Sequence, residues 1–550
     1  MKIALAQQNF HVGNIEFNKQ KIIQSIIKAQ NAEVDLIVFS ELAICGYPPK
    51  DLLLHDSFIT KCLLAVEDLK EYSKNIGIII GAPSVNKTGK GKKLYNSAYY
   101  IYENKIQKII NKSLLPTYDV FDEYRYFEPA KETDIIVHKN TNIALTICED
   151  IWNVDKNLIY QYNPLDDLSL KQPLFVINIA ASPFSYNQRD ERENIIRTNC
   201  EKYNTPLFYV NQIGANTELI FDGESIVANK EGKIVCKLNS FEEDFRTFII
   251  DNNATINIEK EDKGEQFNNK ISLITEALVL GIKDYFGKSH LKRAILGLSG
   301  GIDSAVTLVL AVKALGNENV KAILLPSAFS SDHSVNDAVA LCETMKVDYE
   351  TINIEQPFQS FMNILDPYFA NKPFDITEEN MQARVRALIL MSFSNKFGYI
   401  LLNTSNKSEV AVGYGTLYGD MCGGLSVIGD VYKQDVCKMA EYINKDKEII
   451  PINTIIKPPS AELRPDQKDS DSLPEYDILD KILFKYIEEN KNIKQITDEG
   501  FDENIVKKVI RLVNINEHKR HQAAPILRVS HKAFGSGRCM PIVADYNFFY

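Results

Sequence analysis

The sequence predicts an α/β protein of two domains. Three observations carry that expectation. Apolar runs of strand length alternate with helical patterns along most of the chain. Residues 294–316 read as a buried strand, a glycine-rich turn and a glycine-closed helix, the start of a doubly wound sheet. Between residues 251 and 268 the chain becomes polar, charged and aperiodic, which marks a surface connection. The expected division is 1–250 for the first domain, 251–268 for the linker and 269–550 for the second. Length alone would suggest roughly three or four domains.

In the first half, strands are expected at Lys2–Gln7, Leu36–Ser40, Gly77–Ala82, Ser97–Tyr102, Lys105–Asn111, Asn142–Cys148, Leu174–Ile179, Pro206–Asn211 and Ile226–Ala228. Helices fit Phe17–Gln30, Ile59–Asn75 and Gln188–Tyr203. Three strand ends carry reactive groups: a carboxylate at Glu41, an amine at Lys112 and a thiol at Cys148. Singly, each has a bland explanation. A lone cysteine is usually an inert hydrophobe, and a lone Glu or Lys a solvated charge. Phe241–Phe245 also reads as polar connection.

After the linker, Ile271, Ile274, Leu278 and Ile282 recur at helical spacing. The strand Ala294–Leu298 then leads through Gly297 and Leu298 into Ser299, Gly300, Gly301, Ile302, Asp303 and Ser304. Glycines let backbone approach a ligand closely, and amides at the next helix start favour an anion. Ser299 and Ser304 add hydroxyl donors, and Asp303 adds a carboxylate suited to magnesium. No Gly-Lys-Ser/Thr follows, so this is not a Walker loop. Strands at Lys321–Pro326, Tyr349–Ile352 and Gly398–Asn403 alternate with helices at Ser334–Lys346 and Asn380–Phe397. In such sheets ligands sit at the carboxyl ends of strands.

Composition narrows the class. Hydrophobic residues make up 45% and charged ones 25%, as in a globular protein with sizeable cores. A net charge of −11 without a basic block argues against nucleic-acid binding. Nine scattered cysteines without CxxC pairs read as reduced and cytoplasmic. The start of the chain reads as a strand rather than a leader, and no apolar run approaches membrane-spanning length.

SGGIDS resembles the pyrophosphate loop of ATP pyrophosphatases, which cut ATP between its α and β phosphates. SELAICGYPPKDLL, NKSLLPTYDVFDEYRYF and ICEDIW resemble the Glu-Lys-Cys segments of nitrilases. Glu379–Arg386, Thr404–Glu409, Tyr414–Gly424 and Glu517–Arg538 resemble NAD synthetases of the glutamine-dependent, two-domain kind. The resemblance implies a nitrilase-like αββα sandwich followed by a doubly wound ATP-pyrophosphatase domain. It implies amidation of deamido-NAD with ATP and Mg²⁺, by ammonia released from L-glutamine and passed internally.

In that scheme Glu41 is the base, Cys148 the nucleophile and Lys112 the oxyanion partner. Tyr118, Ser182 and Gln188 hold glutamine. The family usually has a cation at Gln188, a loss that Arg189 or Arg192 would make good. Gly297–Ser304 and Thr404 meet ATP, with Lys433 and Ser460 as weaker matches. Asn380, Arg384, Glu409 and Lys519 face deamido-NAD, while Asp303 and Glu409 face the metal. A homo-oligomer is implied as well. Two other readings stay open: a different glutamine-dependent ATP-pyrophosphatase amidotransferase, such as a GMP or asparagine synthetase, or an inactive nucleotide- or glutamine-sensing protein.

Overall fold

The computed structural model describes residues 1–154, 158–258, 267, 269–370, 372–465 and 467–546. The chain divides into two compact units, Met1–Phe267 and Asn268–Tyr550.

The first unit is built on two stacked sheets. A seven-stranded sheet runs in the order Ile256–Ile258, Asp244–Ile250, Lys2–Gln7, Leu36–Val38, Gly77–Val85, Leu94–Tyr102, Lys105–Asn111. A six-stranded sheet runs Ile234–Lys237, Ile226–Ala228, Leu207–Asn211, Phe175–Ala180, Thr141–Ile147, Ile135–His138. The alternation of side chains along a strand makes the layers. Ile3 and Leu5 join a core shared with Leu145, Ile177 and Phe208 of the other sheet. Ala4 and Ala6 face the opposite way, towards Ile22 and Ile26 of the helix Ile15–Asn31 and Val66 of the helix Asp56–Asp68. Ile195, Ile196 and Cys200 of the helix Gln188–Tyr203 close the far side. The four layers are therefore α-β-β-α, as expected.

One expectation fails here. Phe241–Phe245 and the residues after it are not merely connection: Asp244–Ile250 lies antiparallel to Lys2–Gln7, and Ile256–Ile258 lies on its outer edge. Charged Asp244 and Arg246 obscure the strand, because its partner supplies the pairing that its own pattern does not advertise. Of the expected linker 251–268, residues 259–266 and 268 lie outside the described residues.

The second unit carries five parallel strands in the order Asp348–Thr351, Val320–Leu324, Ala294–Gly297, Ile400–Asn403, Leu425–Ser426. Chain order reverses between Ala294–Gly297 and Ile400–Asn403, which makes their carboxyl ends the switch point where ligands bind. A helical bundle follows, in which Leu479, Ile482 and Leu483 pack on Val506, Val509 and Ile510. No helix among the described residues is long and apolar enough to cross a membrane.

His138 gives the first unit an acid-sensitive point. It is fully buried, shares a 2.7 Å hydrogen bond with the Tyr100 hydroxyl and lies edge-on to Tyr102. Burial, with Lys139 beside it, pushes the imidazole down to about 4. The unfolded chain, near 6.5, then binds the proton more readily. Stability is therefore complete above pH 6.5 and falls as the pH drops towards 4, by about 3 kcal/mol from this group alone. In urea titrations, His138→Gln should lose less stability than the parent between pH 7 and pH 4.5. Equal losses in the two proteins would show that other groups set the acid limit.

Candidate active sites

The first site is built at strand ends of both stacked sheets. Glu41 follows Leu36–Val38, Lys112 follows Lys105–Asn111, and Cys148 follows Thr141–Ile147. All three are buried. Lys112 Nζ donates to Glu41 Oε1 at 2.8 Å, and to both carboxylate oxygens of Glu123 at 2.8 and 2.9 Å. Asn96 Nδ2 donates to Glu41 Oε1 at 2.7 Å, and the Ala181 amide donates to Glu41 Oε2 at 3.0 Å. The glutamate is thus fixed through both oxygens. Burial alone would discharge Lys112, but Glu123 and Glu41 outweigh it and hold the ammonium well above its ordinary range. Burial likewise raises the Glu123 carboxyl, against the pull of Lys112.

Cys148 sits in the left-handed region at φ 43°, an uncommon place for a side-chain-bearing residue. Asp150 fixes this turn. Its Oδ2 accepts from the Ile147 amide at 3.0 Å, and its Oδ1 accepts from the Ser113 and Leu114 amides at 2.9 Å each. One carboxylate therefore ties the thiol's turn to the segment after Lys112. Burial pushes that carboxyl up to about 6. Burial also raises the Cys148 thiol well above its usual range, Glu41 adds to the rise, and Lys112 opposes it. The resting group is a thiol, and it needs a base to become a nucleophile.

Glu149 carries the next feature. Its carboxylate accepts from the Tyr118 hydroxyl at 2.9 Å and the Tyr160 hydroxyl at 3.1 Å, and burial pushes it up to about 7. The Ser182 amide donates to Asn211 Oδ1 at 2.9 Å. Gln188 opens the helix Gln188–Tyr203. Neither neighbouring arginine is uncommitted. Arg189 pairs with Glu224 at 2.6 Å and donates to the Phe267 carbonyl at 2.7 Å. Arg192 pairs with Asp222 at 2.7 Å and with Glu224 at 2.9 Å.

The second site surrounds the glycine-rich loop. Gly300 has φ 80°, and a Cβ there would lie 2.1 Å from the Ser334 carbonyl oxygen, so only glycine fits. The Ser299 and Ser304 hydroxyls lie 3.2 Å apart, and Ser304 Oγ donates to the Gly301 carbonyl at 3.0 Å, closing the turn. Gly301 caps the helix Ile302–Leu315 without a side chain, leaving the first amides open towards an anion.

Asp303 accepts from Asn406 Nδ2 at 2.9 Å and from Lys433 Nζ. Lys433 also lies 4.0 Å from Glu409. Burial and the Asp303 charge raise the Glu409 carboxyl, against Lys433. Two carboxylates thus converge on one cation with oxygen donors alone, a set that suits a hard ion such as magnesium.

A cavity of about 810 Å³ is lined by every expected nucleotide residue: Gly297–Ser304, Asn380, Arg384, Thr404, Glu409, Lys433, Ser460 and Lys519. Three of them hold the Tyr414–Gly424 loop. Asn380 Oδ1 accepts from Thr416 Oγ1 at 2.7 Å, Arg384 Nε donates to the Leu417 carbonyl at 3.2 Å, and Lys519 Nζ donates to the Gly413 and Gly415 carbonyls at 2.7 and 2.8 Å.

Glu123, Asn96, Glu149, Asp150 and Asn406 were not singled out from the sequence. Glu149 and Asp150 stand inside ICEDIW, and Glu123 inside DEYRYF, so the strings contained them. Only the fold shows which of their atoms point inwards.

Comparison with known proteins covers both units. A carbon-nitrogen hydrolase model matches residues 2–259, and an NAD synthase model matches residues 274–523. A glutamine-dependent NAD(+) synthetase of Synechocystis sp. is 44% identical, over 99% of each chain. One from Acinetobacter baylyi is 42% identical, over 98% of each. The solved glutamine-dependent NAD+ synthetase of Acinetobacter baumannii in complex with ADP superposes with a TM-score of 0.78 at 38% identity, covering 98% of both chains.

Glu123 supplies two of the three hydrogen bonds that Lys112 Nζ makes. Glu123→Gln should therefore lower the unfolding free energy of the first unit by roughly 1.5–3 kcal/mol. A urea midpoint unchanged from the parent would show that Glu41 alone satisfies the ammonium.

Proposed function

The chain belongs to the glutamine-dependent NAD(+) synthetases, and from that premise we propose which residues carry each half of its reaction. The enzyme amidates deamido-NAD to NAD at the expense of ATP, with glutamine as the ammonia source. One observation supports the residue roles above all: a buried thiol beside a Glu-Lys pair in one unit, and a cavity around the pyrophosphate loop in the other.

In the first unit, Glu41 takes the Cys148 proton as the sulfur attacks the glutamine carboxamide carbon. The Lys112 ammonium, already charged and immobile, stabilises the oxyanion without reorganising. Glu41 then protonates the departing ammonia and activates the water that releases glutamate. Tyr118, Ser182 and Gln188 hold the substrate, and Glu149 offers its carboxylate to the α-ammonium.

In the second unit, Gly297–Ser304 and Thr404 bind ATP, and Asn380, Arg384, Glu409 and Lys519 bind deamido-NAD. Lys433 and Ser460 support the ATP side. The nicotinate carboxylate attacks the α-phosphorus, pyrophosphate leaves, and ammonia displaces AMP from the resulting adenylate. Asp303 and Glu409 would hold Mg²⁺, which supplies neutralisation of the pyrophosphate charge. Ammonia reaches the adenylate by internal transfer, which keeps it from being protonated in water. A homo-oligomer is part of the proposal; exposed Phe361, Ile364, Tyr368 and Leu388 on two helices of the second unit support it. The cytoplasm is proposed as its location, supported by nine scattered cysteines without CxxC spacing.

Cys148→Ala tests the division of labour. NAD formation from glutamine should disappear, while formation from added ammonium should stay near the parent rate. Continued use of glutamine would overturn the choice of nucleophile.

Gln188 tests substrate binding. With Arg189 and Arg192 committed to Glu224 and Asp222, the glutamine carboxylate keeps only neutral donors here. A charge-assisted bond adds about 1 kcal/mol over a neutral one. Gln188→Lys should lower the glutamine KM several-fold and leave the ammonium-dependent rate alone. A flat or higher KM would show that another group already supplies the charge.

A further inference from the structure

Three of the cations that line the nucleotide cavity, Arg386, Lys457 and Arg464, serve in none of the roles above. Arg386 lines it from the helix Ile376–Phe397. Six cationic side chains line this cavity, and their partners separate them. Lys433 is paired with Asp303, Lys457 with Glu462, and Arg464 with Asp471 and Glu379. Arg384 and Lys519 bond to carbonyl oxygens of the Tyr414–Gly424 loop and its approach. Arg386 forms no ion pair among the described residues. Its Nε donates to the Leu325 carbonyl at 3.0 Å, which leaves the two terminal nitrogens of the fork for a ligand. Burial pushes the guanidinium down to about 10, with Asp420 and Glu462 opposing from a distance, so it stays charged at neutral pH. A desolvated cation without a counter-ion is costly unless an anion is to be bound there.

Its position says which part of the anion. Leu325 is the first residue beyond the strand Val320–Leu324 and opens the segment Leu325–Ser331, whose serines and backbone at a carboxyl strand end are suited to meet adenosine. That strand runs beside Ala294–Gly297, which feeds the pyrophosphate loop, and Leu298 N donates to the Ile323 carbonyl at 2.9 Å. One helical turn after Arg386, Leu390 lies 3.2 Å from where a Cβ on Gly297 would stand. Arg386 is thereby anchored between the element that meets the nucleoside and the element that meets the β and γ phosphates. The group of ATP that lies between those two is the α-phosphate.

We propose that Arg386 is a further catalytic residue of the synthetase unit, its two terminal nitrogens bonding the non-bridging oxygens of the ATP α-phosphate. This rests on the reading of the second unit given above. In the step it serves, a nicotinate carboxylate oxygen bonds to the α-phosphorus. The bond from that phosphorus to the α,β-bridging oxygen breaks, and its electron pair leaves with pyrophosphate. The planar fork matches two phosphate oxygens bidentately. It remains on the adenylate phosphate when ammonia attacks the carbonyl and AMP departs.

The test uses the full chain with deamido-NAD. Exchange of labelled pyrophosphate into ATP reads adenylation alone, and release of ammonia from glutamine reads the other unit. Arg386→Ala should slow exchange by about 100-fold or more at saturating ATP, with glutaminase activity retained as evidence of folding. Arg386→Lys keeps the charge but not the fork, and should recover only part of the loss. The parent's preference for ATP over 2′-deoxy-ATP should be unchanged in both variants. Exchange at the parent rate in Arg386→Ala would overturn the proposal. So would loss of the ribose preference, because the arginine would then be holding the sugar. A parent enzyme that makes no NAD from these substrates would instead overturn the underlying reading, so the two failures are distinguishable.

Discussion

Lys112 carries a positive charge with no exposed surface, and an uncompensated ammonium at such a place destabilises a fold by several kcal/mol. The first unit is arranged around satisfying it. Glu41 and Glu123 approach from separate segments, and Asn96 Nδ2 bonds both at 2.7 and 3.3 Å. The same carboxylates that stabilise the ammonium raise the neighbouring thiol, with burial as the larger cause. In the proposed roles, the nucleophile rests protonated because of burial and these carboxylates, against Lys112, and the base is pinned by Lys112, Asn96 and the Ala181 amide. In the proposed mechanism, activation then waits for a substrate whose developing oxyanion draws on Lys112.

The second unit repeats the arrangement of one buried ammonium between two carboxylates. Lys433 is held between Asp303 and Glu409, but burial, with the Asp303 charge adding to it, raises Glu409. The cluster is under-neutralised rather than closed. Asn406 keeps it in place by bonding Asp303 while also accepting from the Glu409 amide at 3.0 Å, so a helix cap doubles as the spacer between the acids. Such a site favours additional positive charge, as magnesium would bring.

Much of this was readable in the chain because the proposed catalytic groups stand at strand ends. Lys2–Gln7, Lys105–Asn111 and Ile226–Ala228 have the boundaries that their apolar runs indicate. The glycine-rich loop is legible because Gly300 tolerates no alternative, given its φ and the Ser334 carbonyl beside it. What stayed hidden has physical reasons. Asp244–Ile250 alternates weakly and is a strand because Lys2–Gln7 needs a partner. Glu123 lies in a three-residue helical turn inside a loop, where no periodicity marks which side chain faces inwards. Asp150 acts only through backbone amides, two of them more than 30 residues away in sequence. Arg189 and Arg192 looked available from spacing alone; their acidic partners Asp222 and Glu224 come from another element.

The two sites also differ in how they treat surplus charge, and the difference follows from what each must bind. Glutamine is a zwitterion with a neutral reacting end, so a site for it needs no net charge. Accordingly Lys112, Arg189 and Arg192 are all paired with carboxylates, and in the proposed roles specificity falls to hydroxyls, amides and the Glu149 carboxylate. ATP and a dinucleotide together bring several phosphate charges. The cavity proposed to receive them keeps Arg384, Arg386 and Lys519 bonded to carbonyl oxygens rather than to acids. Carbonyl contacts orient a cation without neutralising it, so its charge remains for the ligand. Pairing those cations with acids would have stabilised the free protein and weakened its hold on phosphate, because each ion pair would have to be broken before the nucleotide could bind.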